Sequence, residues 1–328
     1  MSSAAPRPRL VADIGGTNAR FALQRPGARP DPPVVLRCAA FADLESAVRA
    51  ALAHAEPHAP PRDAAFAVAA PVLGDDVVMT NHPWRFSRPA LAEALGLARL
   101  VVINDFTAVA WALPHLATDE KRKLGGGKAA HGGALAVLGP GTGLGVSGLV
   151  PADGGWTALA GEGGHVDFAP GDAREAAILE RLRRRFGRVS LERVLSGPGL
   201  ENIYGALVEI AGAAQDDESP SAAEIGERAR AGGCPLARQT VEIFSAILGG
   251  AAGNLALTLG ARGGVFVAGG IVPRLGSAFA VDAFRRRFEA KGRFADYLAA
   301  IPTWLVTAPH PALLGLARLL DGPAARQG

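Results

Sequence analysis

An aspartate stands directly before a pair of glycines near the start of the chain, in residues 13–18 (DIGGTN). Adjacent glycines lack Cβ atoms, so the backbone can turn tightly and bring its N–H groups close to an anion. Thr17 adds a hydroxyl donor, and Asp13 is favourable beside phosphate if it holds Mg²⁺ or its waters. The segment predicts a phosphate-binding turn; an ordinary hairpin turn capped by Asp13 and Asn18 is the alternative.

A second glycine-rich segment, residues 139–145 (GPGTGLG), has four glycines in seven residues and lies between apolar runs. No Gly-Lys-Ser/Thr follows, so it is not a Walker A loop, and the next segment predicts a strand, which excludes a dinucleotide-binding fingerprint. We predict a second phosphate-binding turn, with a flexible hairpin as the alternative. A third glycine pair, Gly269 and Gly270, follows an apolar run and would let a base or ribose lie against the backbone.

Asn104 and Asp105 follow the continuous apolar run of residues 100–103, which predicts a buried strand. A carboxylate at the carboxyl end of such a strand lies where ligands usually bind in α/β sheets. Partial burial would raise the pKa of Asp105 and suit it to accept a proton from a hydroxyl group. The alternative is that Asp105 is the N-cap of a helix beginning at Phe106.

Glycines surround Glu162, His165 and Asp167 in residues 161–167 (GEGGHVD). Polar acceptors on a tight backbone suit a polyhydroxylated ligand, because each sugar hydroxyl needs an acceptor and a donor. A zinc site is not indicated, since no cysteine follows His165 until Cys234 and there is no paired-cysteine spacing.

Glu192 is a further candidate for binding such a ligand. The alternative is a surface glutamate that faces Arg188 or Arg193. The arginine-rich residues 181–188 and 285–293 lie on predicted helices without an aromatic stacking platform, so we predict solvated helix faces and no nucleic-acid site.

The composition fits a globular chain with a sizeable core, with 49% hydrophobic and 20% charged residues over a length of 328. At about 150 residues per domain, the length suggests two domains. The net charge of +3 does not indicate a nucleic-acid or membrane partner. The two cysteines cannot form a disulfide framework, and the uncharged stretches 132–152 and 243–261 predict core segments, so we expect a cytoplasmic protein.

The elements that position these residues are predicted to be mixed α/β. Two strand–glycine turn–strand units, at residues 10–24 and 134–150, suggest two similar halves. Predicted strands cover residues 10–14, 19–24, 34–38, 64–69, 100–103, 134–138, 145–150, 265–268 and 304–306. Predicted helices cover residues 44–55, 91–97, 105–113, 172–186, 199–210, 222–231, 235–259 and 313–320. Residues 121–133, which are basic and glycine-rich, predict a surface loop that crosses between domains.

Seven segments together resemble one family. In chain order they are DIGGTNARFAL (13–23), MTNHPW (79–84), INDFTAVAWALP (103–114), GPGTGLG (139–145), GEGGHVDFAP (161–170), ERVLSGPGL (192–200) and GGVFVAGGIVPR (263–274). The chain resembles bacterial glucokinases of the hexokinase and actin-like ATPase superfamily, outside the ROK group. The resemblance implies an actin-like ATPase (ribonuclease H-like) fold, with a small α/β domain of residues 1–114 plus about 306–328. A large α/β domain of residues 115–305, an active-site cleft between the domains and a homodimer are also implied.

The resemblance also implies a role for each candidate residue. Asp105 would be the catalytic base, and the residues that bind the sugar would be Asn104, Asp105, Glu162, His165 and Glu192. The ATP-binding residues would be Ala12, Asp13, Ile14, Gly15, Gly16, Thr17, Thr142, Gly143, Gly269 and Gly270, with Asp13 holding Mg²⁺ through water. ROK kinases carry a cysteine-rich zinc motif after the histidine, which this chain lacks, so no structural zinc is expected. Pro140 removes one backbone N–H from the second turn.

The activity implied is ATP-dependent phosphorylation of the 6-hydroxyl of D-glucose, the first step of glycolysis. A kinase of the same fold with another hexose, or with another phosphate donor such as polyphosphate, is one alternative. A sugar-sensing regulator is another, but such a protein is expected to carry a DNA-binding segment, and nine residues precede the first predicted strand.

Overall fold

The structure is a computed structural model that describes residues 6–212 and 219–322. Its contacts divide the chain into two compact units. Unit 1 comprises Met1–Leu116, Pro151–Ala160 and Ala308–Gly328, and unit 2 comprises Ala117–Val150 and Gly161–Thr307. Residues 1–5 and 323–328, which the sequence places in the small domain, lie outside the described residues.

Both strands and helices are numbered in chain order. The strands are β1 (Arg9–Ile14), β2 (Asn18–Gln24), β3 (Val34–Arg37), β4 (Asp63–Val68), β5 (Asp76–Val78), β6 (Arg85–Ser87), β7 (Arg99–Asn104), β8 (Lys121–Gly125), β9 (Leu135–Pro140), β10 (Leu144–Ala152), β11 (Gly155–Leu159), β12 (Gly264–Val267) and β13 (Thr303–Val306). The α-helices are α1 (Leu44–Ala55), α2 (Arg88–Ala94), α3 (Asp105–Ala112), α4 (Ala173–Phe186), α5 (Gly197–Ala211), α6 (Ala222–Ala231), α7 (Pro235–Leu259), α8 (Ile271–Leu275), α9 (Val281–Glu289), α10 (Ala295–Ala299) and α11 (Pro311–Asp321). The predicted mixed α/β class is confirmed.

The main sheet of unit 1 has the strand order β3-β2-β1-β4-β7. Strands β1, β4 and β7 run parallel, and Ile14 and Asn104 are both register partners of Val68 on the strand between them. The carboxyl ends of β1 and β7 therefore lie at the same edge of the sheet, two strand spacings or about 10 Å apart. This edge carries Asp13 and Asp105.

Helix α11 packs closely on α3 in unit 1. A Cβ atom added to Gly315 would lie 1.8 Å from the carbonyl oxygen of Ala108, so a side chain at this position would push the two backbones apart. The glycine thus lets the C-terminal helix cover α3, which begins at Asp105.

The second large sheet has the strand order β11-β10-β9-β12-β13-β8. Strands β9, β12 and β13 run parallel, and every residue of β9 is buried. The predicted surface loop at 121–133 is wrong for its first five residues, which form edge strand β8, antiparallel to β13. Its charged side chains Lys121, Arg122 and Lys123 are typical of an edge strand, because they discourage pairing with another chain.

Helix α7 is the long central helix of unit 2. Its length and composition would allow it to cross a membrane, but 67% of its most apolar window is buried inside the protein, as in a core helix. Helix α9 lies against its glycines: a Cβ on Gly249 would lie 2.0 Å from the carbonyl oxygen of Phe284, and one on Gly253 would lie 2.6 Å from that of Phe288. The small residues therefore set the close approach of α7 and α9.

Candidate active site

The junction of β7 and α3 holds the candidate catalytic base. Asn104, the last residue of β7, is the N-cap of α3, and its Oδ1 accepts hydrogen bonds from the backbone N–H groups of Phe106 (2.9 Å) and Thr107 (3.3 Å). Asp105 is the first residue of the helix, and its Oδ1 also accepts from Phe106 N–H, at 2.8 Å. The capping role that the sequence offered to Asp105 therefore belongs to Asn104, and the half-buried carboxylate of Asp105 lies in a first turn that favours negative charge.

The first glycine turn, between β1 and β2, presents two backbone donors. The N–H of Gly15 is used inside the turn, where it donates to the carbonyl of Asn18 at 3.1 Å. The N–H groups of Gly16 and Thr17 have no acceptor in the described part of the chain. A Cβ on Gly16 would lie 3.0 Å from both Cβ and the carbonyl oxygen of Asn81, so the turn has little room for a side chain there.

Asp13 lies directly opposite Arg20 in the β1–β2 hairpin. The Arg20 guanidinium is 3.7 Å from the Asp13 carboxylate, whose side chain is 24% exposed. Burial raises the pKa of Asp13, and the positive charges of Arg20 and His310 act against that rise. Burial and the charge of Arg20 lower the pKa of His310, so Arg20 is the cation on which ionisation of Asp13 chiefly depends. The sequence analysis did not single out Arg20; the observed pairing of residues 13 and 20 across the hairpin is the signal that identifies it.

The second glycine turn, between β9 and β10, also uses the N–H of its first turn glycine for a hydrogen bond inside the turn. The N–H of Gly141 donates to the carbonyl of Gly143 at 2.8 Å, and the N–H groups of Thr142 and Gly143 find no acceptor among the described residues. The carbonyl of Gly141 accepts from Gly197 N–H at 2.8 Å, which ties the turn to the start of α5. Both turns thus present two adjacent unpaired N–H groups, the donor set that a phosphate group requires.

Gly269 lies directly on the end of β9. Its φ of +80° is in the left-handed region, and an added Cβ would lie 2.4 Å from the carbonyl oxygen of Pro140. Both conditions require glycine. The structure thereby brings Gly269 and Gly270, which are exposed, next to the second turn.

Glu192 faces the second turn and not an arginine. Its Oε2 accepts a hydrogen bond from Leu144 N–H at 2.9 Å, and a Cβ on Gly143 would lie 2.4 Å from the same oxygen. Arg188 instead pairs with Asp167 at 2.7 Å, and the guanidinium of Arg193 lies 4.2 Å from the ring centroid of Phe186. The surface ion pair considered for Glu192 is therefore wrong.

Glu162 and His165 are exposed on a short turn that is tied to the segment carrying Glu192. His165 N–H donates to the Glu162 carbonyl at 3.0 Å, and Leu191 N–H donates to the Val166 carbonyl at 2.8 Å. A Cβ on Gly164 would lie 2.1 Å from the Leu144 carbonyl oxygen, so the turn rests on β10. The three predicted sugar-binding residues of unit 2 are therefore held on adjoining segments.

A metal ion has one candidate ligand beside the first glycine turn, the carboxylate of Asp13. Within residues 6–212 and 219–322, no group of three or more His, Cys, Asp or Glu side chains could hold a metal ion. Asp13 supplies a single carboxylate, which fits Mg²⁺ held mainly by phosphate oxygens and water. The donor set therefore fits a magnesium–nucleotide complex.

Comparisons with known proteins agree over nearly the whole chain. Residues 10–322 match the sequence model of the family described as Glucokinase. The chain is 54% identical over 315 residues to a glucokinase of Paramagnetospirillum magneticum, covering 96% of this chain and 98% of the relative. It is 51% identical over 319 residues to a glucokinase of Aromatoleum aromaticum, covering 97% and 96%. The solved structure of a glucokinase from an Antarctic psychrotroph superposes with a TM-score of 0.86 at 38% identity, covering 96% and 98%.

Proposed function

The chain belongs to the glucokinase family, and from that premise we propose how its residues divide the transfer of a phosphoryl group from ATP to the 6-hydroxyl of D-glucose. Its fold is the expected actin-like ATPase fold, and glucose phosphorylation by ATP is its activity. One observation supports the assignment of Asp105 as the catalytic base. The carboxylate of Asp105 lies at the carboxyl edge of the unit 1 sheet that also carries Asp13 and the first glycine turn.

Asp105 is the general base in this proposal. The transition state of phosphoryl transfer is loose, so the protein contributes mainly by positioning groups and offsetting charge. The Asp105 carboxylate accepts the proton of the sugar 6-hydroxyl as the bond from that oxygen to the γ-phosphorus forms and the bond from the γ-phosphorus to ADP breaks, with ADP as the leaving group. The hydrogen bond from Phe106 N–H holds one carboxylate oxygen, which fixes the orientation of the group before substrate binds.

The two glycine turns bind phosphate oxygens. Gly16 and Thr17 donate from the first turn, and Thr142 and Gly143 donate from the second. Mg²⁺, when bound, offsets charge on the phosphate oxygens, and the Asp13 carboxylate holds its waters. Arg20 keeps Asp13 ionised for this role. Gly269 and Gly270 adjoin the second turn and leave room for the adenosine moiety.

The remaining polar residues select the sugar. Because Oδ1 of Asn104 accepts two helix N–H groups, its amide nitrogen is the atom left to donate to a hydroxyl. Glu162, His165 and Glu192 supply the other partners, and Leu144 N–H presets the orientation of Glu192. A site built from such groups favours one epimer, because the wrong epimer leaves a donor or an acceptor of the site without its partner.

An ADP-release assay with a panel of hexoses, repeated with other phosphate donors, tests this function. We expect turnover with glucose and ATP to exceed turnover with mannose, fructose, amino sugars and polyphosphate. A higher kcat/KM for another hexose or donor would contradict the assignment.

A further inference from the structure

A cavity of about 570 Å³ in unit 2 borders the predicted sugar-binding residues through Leu144, Gly163 and Leu191 but is not lined by their side chains. Its walls come from α7, α9, the facing ends of β9 and β10, and the loop of residues 163–171. Neither Glu162, His165 nor Glu192 lines it. The volume falls within the range of about 300–1,000 Å³ that is typical of small-molecule sites.

The inner surface of the cavity is apolar. Leu138, Leu144, Ile247 and Ala251 are buried, and Leu255 is half-buried. A ligand packed against these side chains would gain dispersion contacts with them. It would also remove the apolar surface that remains exposed from water, which stabilises the complex by about 25 cal/mol per Å² before the costs of association. The inner surface therefore fits an aliphatic ligand body.

The charged side chains that line the cavity, Asp167, Glu175, Arg287 and Lys291, balance in number, but they differ in their partners. Glu175 pairs with Arg287 at 2.7 Å, and Asp167 pairs with Arg188 at 2.7 Å. Lys291 pairs with no carboxylate in the described portion of the chain. Lys291 is therefore the lining cation whose ammonium has no carboxylate partner among the described residues, whereas Arg188, the partner of Asp167, lies outside the lining.

The Lys291 ammonium is held in place by neutral acceptors. It donates to Oδ1 of Asn254 at 2.7 Å and to the carbonyl of Gly250 at 3.1 Å, which leaves one of its three N–H donors. Its stem lies flat on α7, because a Cβ on Gly253 would be 2.7 Å from Cε of Lys291. Burial and the nearby charge of Arg287 lower the pKa of Lys291, and a bound anion would oppose both effects.

We propose that this cavity binds a small amphipathic anion, with its aliphatic chain on the apolar inner surface and its carboxylate on Lys291. The Lys291 ammonium, which has no carboxylate partner among the described residues and one N–H donor left, favours a carboxylate over a neutral or cationic head group. Binding at this site requires neither glucose nor ATP. If the anion did not bind, the assignment of the chain as a glucose kinase would therefore be unaffected.

Calorimetric titration of the full chain with octanoate, in the absence of glucose and ATP, tests the proposal. We expect one octanoate per chain with a Kd below about 1 mM. Lys291→Met should weaken octanoate binding at least about tenfold, because a hydrogen bond to a charged group is lost. Lys291→Arg should retain most of the affinity, and Lys128→Met, which removes an exposed lysine outside the cavity, should leave it unchanged.

Binding of 1-octanol, which has the same chain length but no carboxylate, separates the contribution of the ligand's charge from that of its apolar contacts. We expect it to bind more weakly than octanoate and with the same affinity in wild type and Lys291→Met. Thermal melts of each variant establish that the fold is retained. The proposal is overturned if octanoate does not bind, if folded Lys291→Met binds it as tightly as wild type, or if binding disappears as protein concentration rises. The last result would show that a second copy of the chain covers the cavity.

Discussion

At the scale of single residues, the ionisation of Asp13 depends on its partner across the hairpin. Burial raises the pKa of this carboxyl group, and the Arg20 guanidinium 3.7 Å away opposes the rise. In Arg20→Met the pKa of Asp13 should rise further. Since Asp13 must be ionised to hold magnesium waters, the acidic limb of the kcat profile should then move to higher pH.

Steady-state kcat of wild type and Arg20→Met, measured from about pH 5 to 8, checks this shift, because a carboxyl group with a raised pKa titrates in or near this range. Arg25→Met is the matched control, because Arg25 is exposed and follows the same hairpin strand. Its profile should equal that of wild type. An unchanged acidic limb in Arg20→Met would show that Arg20 does not control Asp13.

The second glycine turn offers a paired test of Glu192. A Cβ on Gly143 would lie 2.4 Å from Oε2 of Glu192, whereas the nearest atom to a Cβ on Gly141 is 4.0 Å away. Gly143→Ala should displace the carboxylate and raise the KM for glucose by about tenfold or more, since a hydrogen bond to a charged group is worth about 1.5–3 kcal/mol. Gly141→Ala should leave that KM nearly unchanged. Equal KM values in the two variants would exclude Glu192 from sugar binding.

At the scale of elements, strong local signals allowed accurate prediction. Helix α1 has the predicted bounds because Asp43 caps its first turn, and α6 does because Ser221 and Glu224 form a capping box. Strand β8 was missed because lysines, arginine and glycine are typical of loops, and only pairing with β13 makes the segment a strand. Similarly, the sequence predicts both glycine turns, but not that Asn104 takes the capping role or that Leu144 N–H orients Glu192. The cap is a local choice between two adjacent residues that can both cap a helix, whereas the Leu144–Glu192 hydrogen bond joins residues 48 apart in the chain.

The crossing of α7 and α9 gives a prediction about stability. Gly249→Ala places a methyl group 2.0 Å from the Phe284 carbonyl oxygen, so the helices must separate. We expect the free energy of unfolding to fall by about 1–3 kcal/mol. Gly205→Ala is the control, because no atom lies within 4 Å of a Cβ at that position of α5. It should be neutral or stabilising by up to about 1 kcal/mol, since alanine favours a helix over glycine.

Urea denaturation monitored by circular dichroism measures both variants. Stability of Gly249→Ala equal to that of Gly205→Ala would contradict the packing account of the crossing.

At the scale of the whole molecule, part of the division into two units has no signal in the sequence. The division near residue 114 lies close to the contact-based boundary at Leu116, but assignment of Pro151–Ala160 to unit 1 has no signal in composition or motif. That assignment follows from contacts distant along the chain. The domain limits and the cleft implied by the family resemblance stay predictions.

Self-association is a further prediction at this scale. We propose a cytoplasmic homodimer, as the family resemblance implies. Sedimentation equilibrium should give twice the chain mass of 33.6 kDa at micromolar concentration. A single species at the chain mass would contradict the dimer without bearing on the chemistry of Asp105.

The most direct test of the account is the turnover of Asp105→Asn, measured together with its affinity for glucose. The amide preserves shape and the hydrogen bond from Phe106 N–H but cannot accept the hydroxyl proton, so kcat should fall about 10²–10⁴-fold while glucose still binds. Asp119→Asn, at an exposed aspartate outside the site, should keep wild-type turnover. Wild-type kcat in folded Asp105→Asn would contradict the assignment of Asp105 as the base.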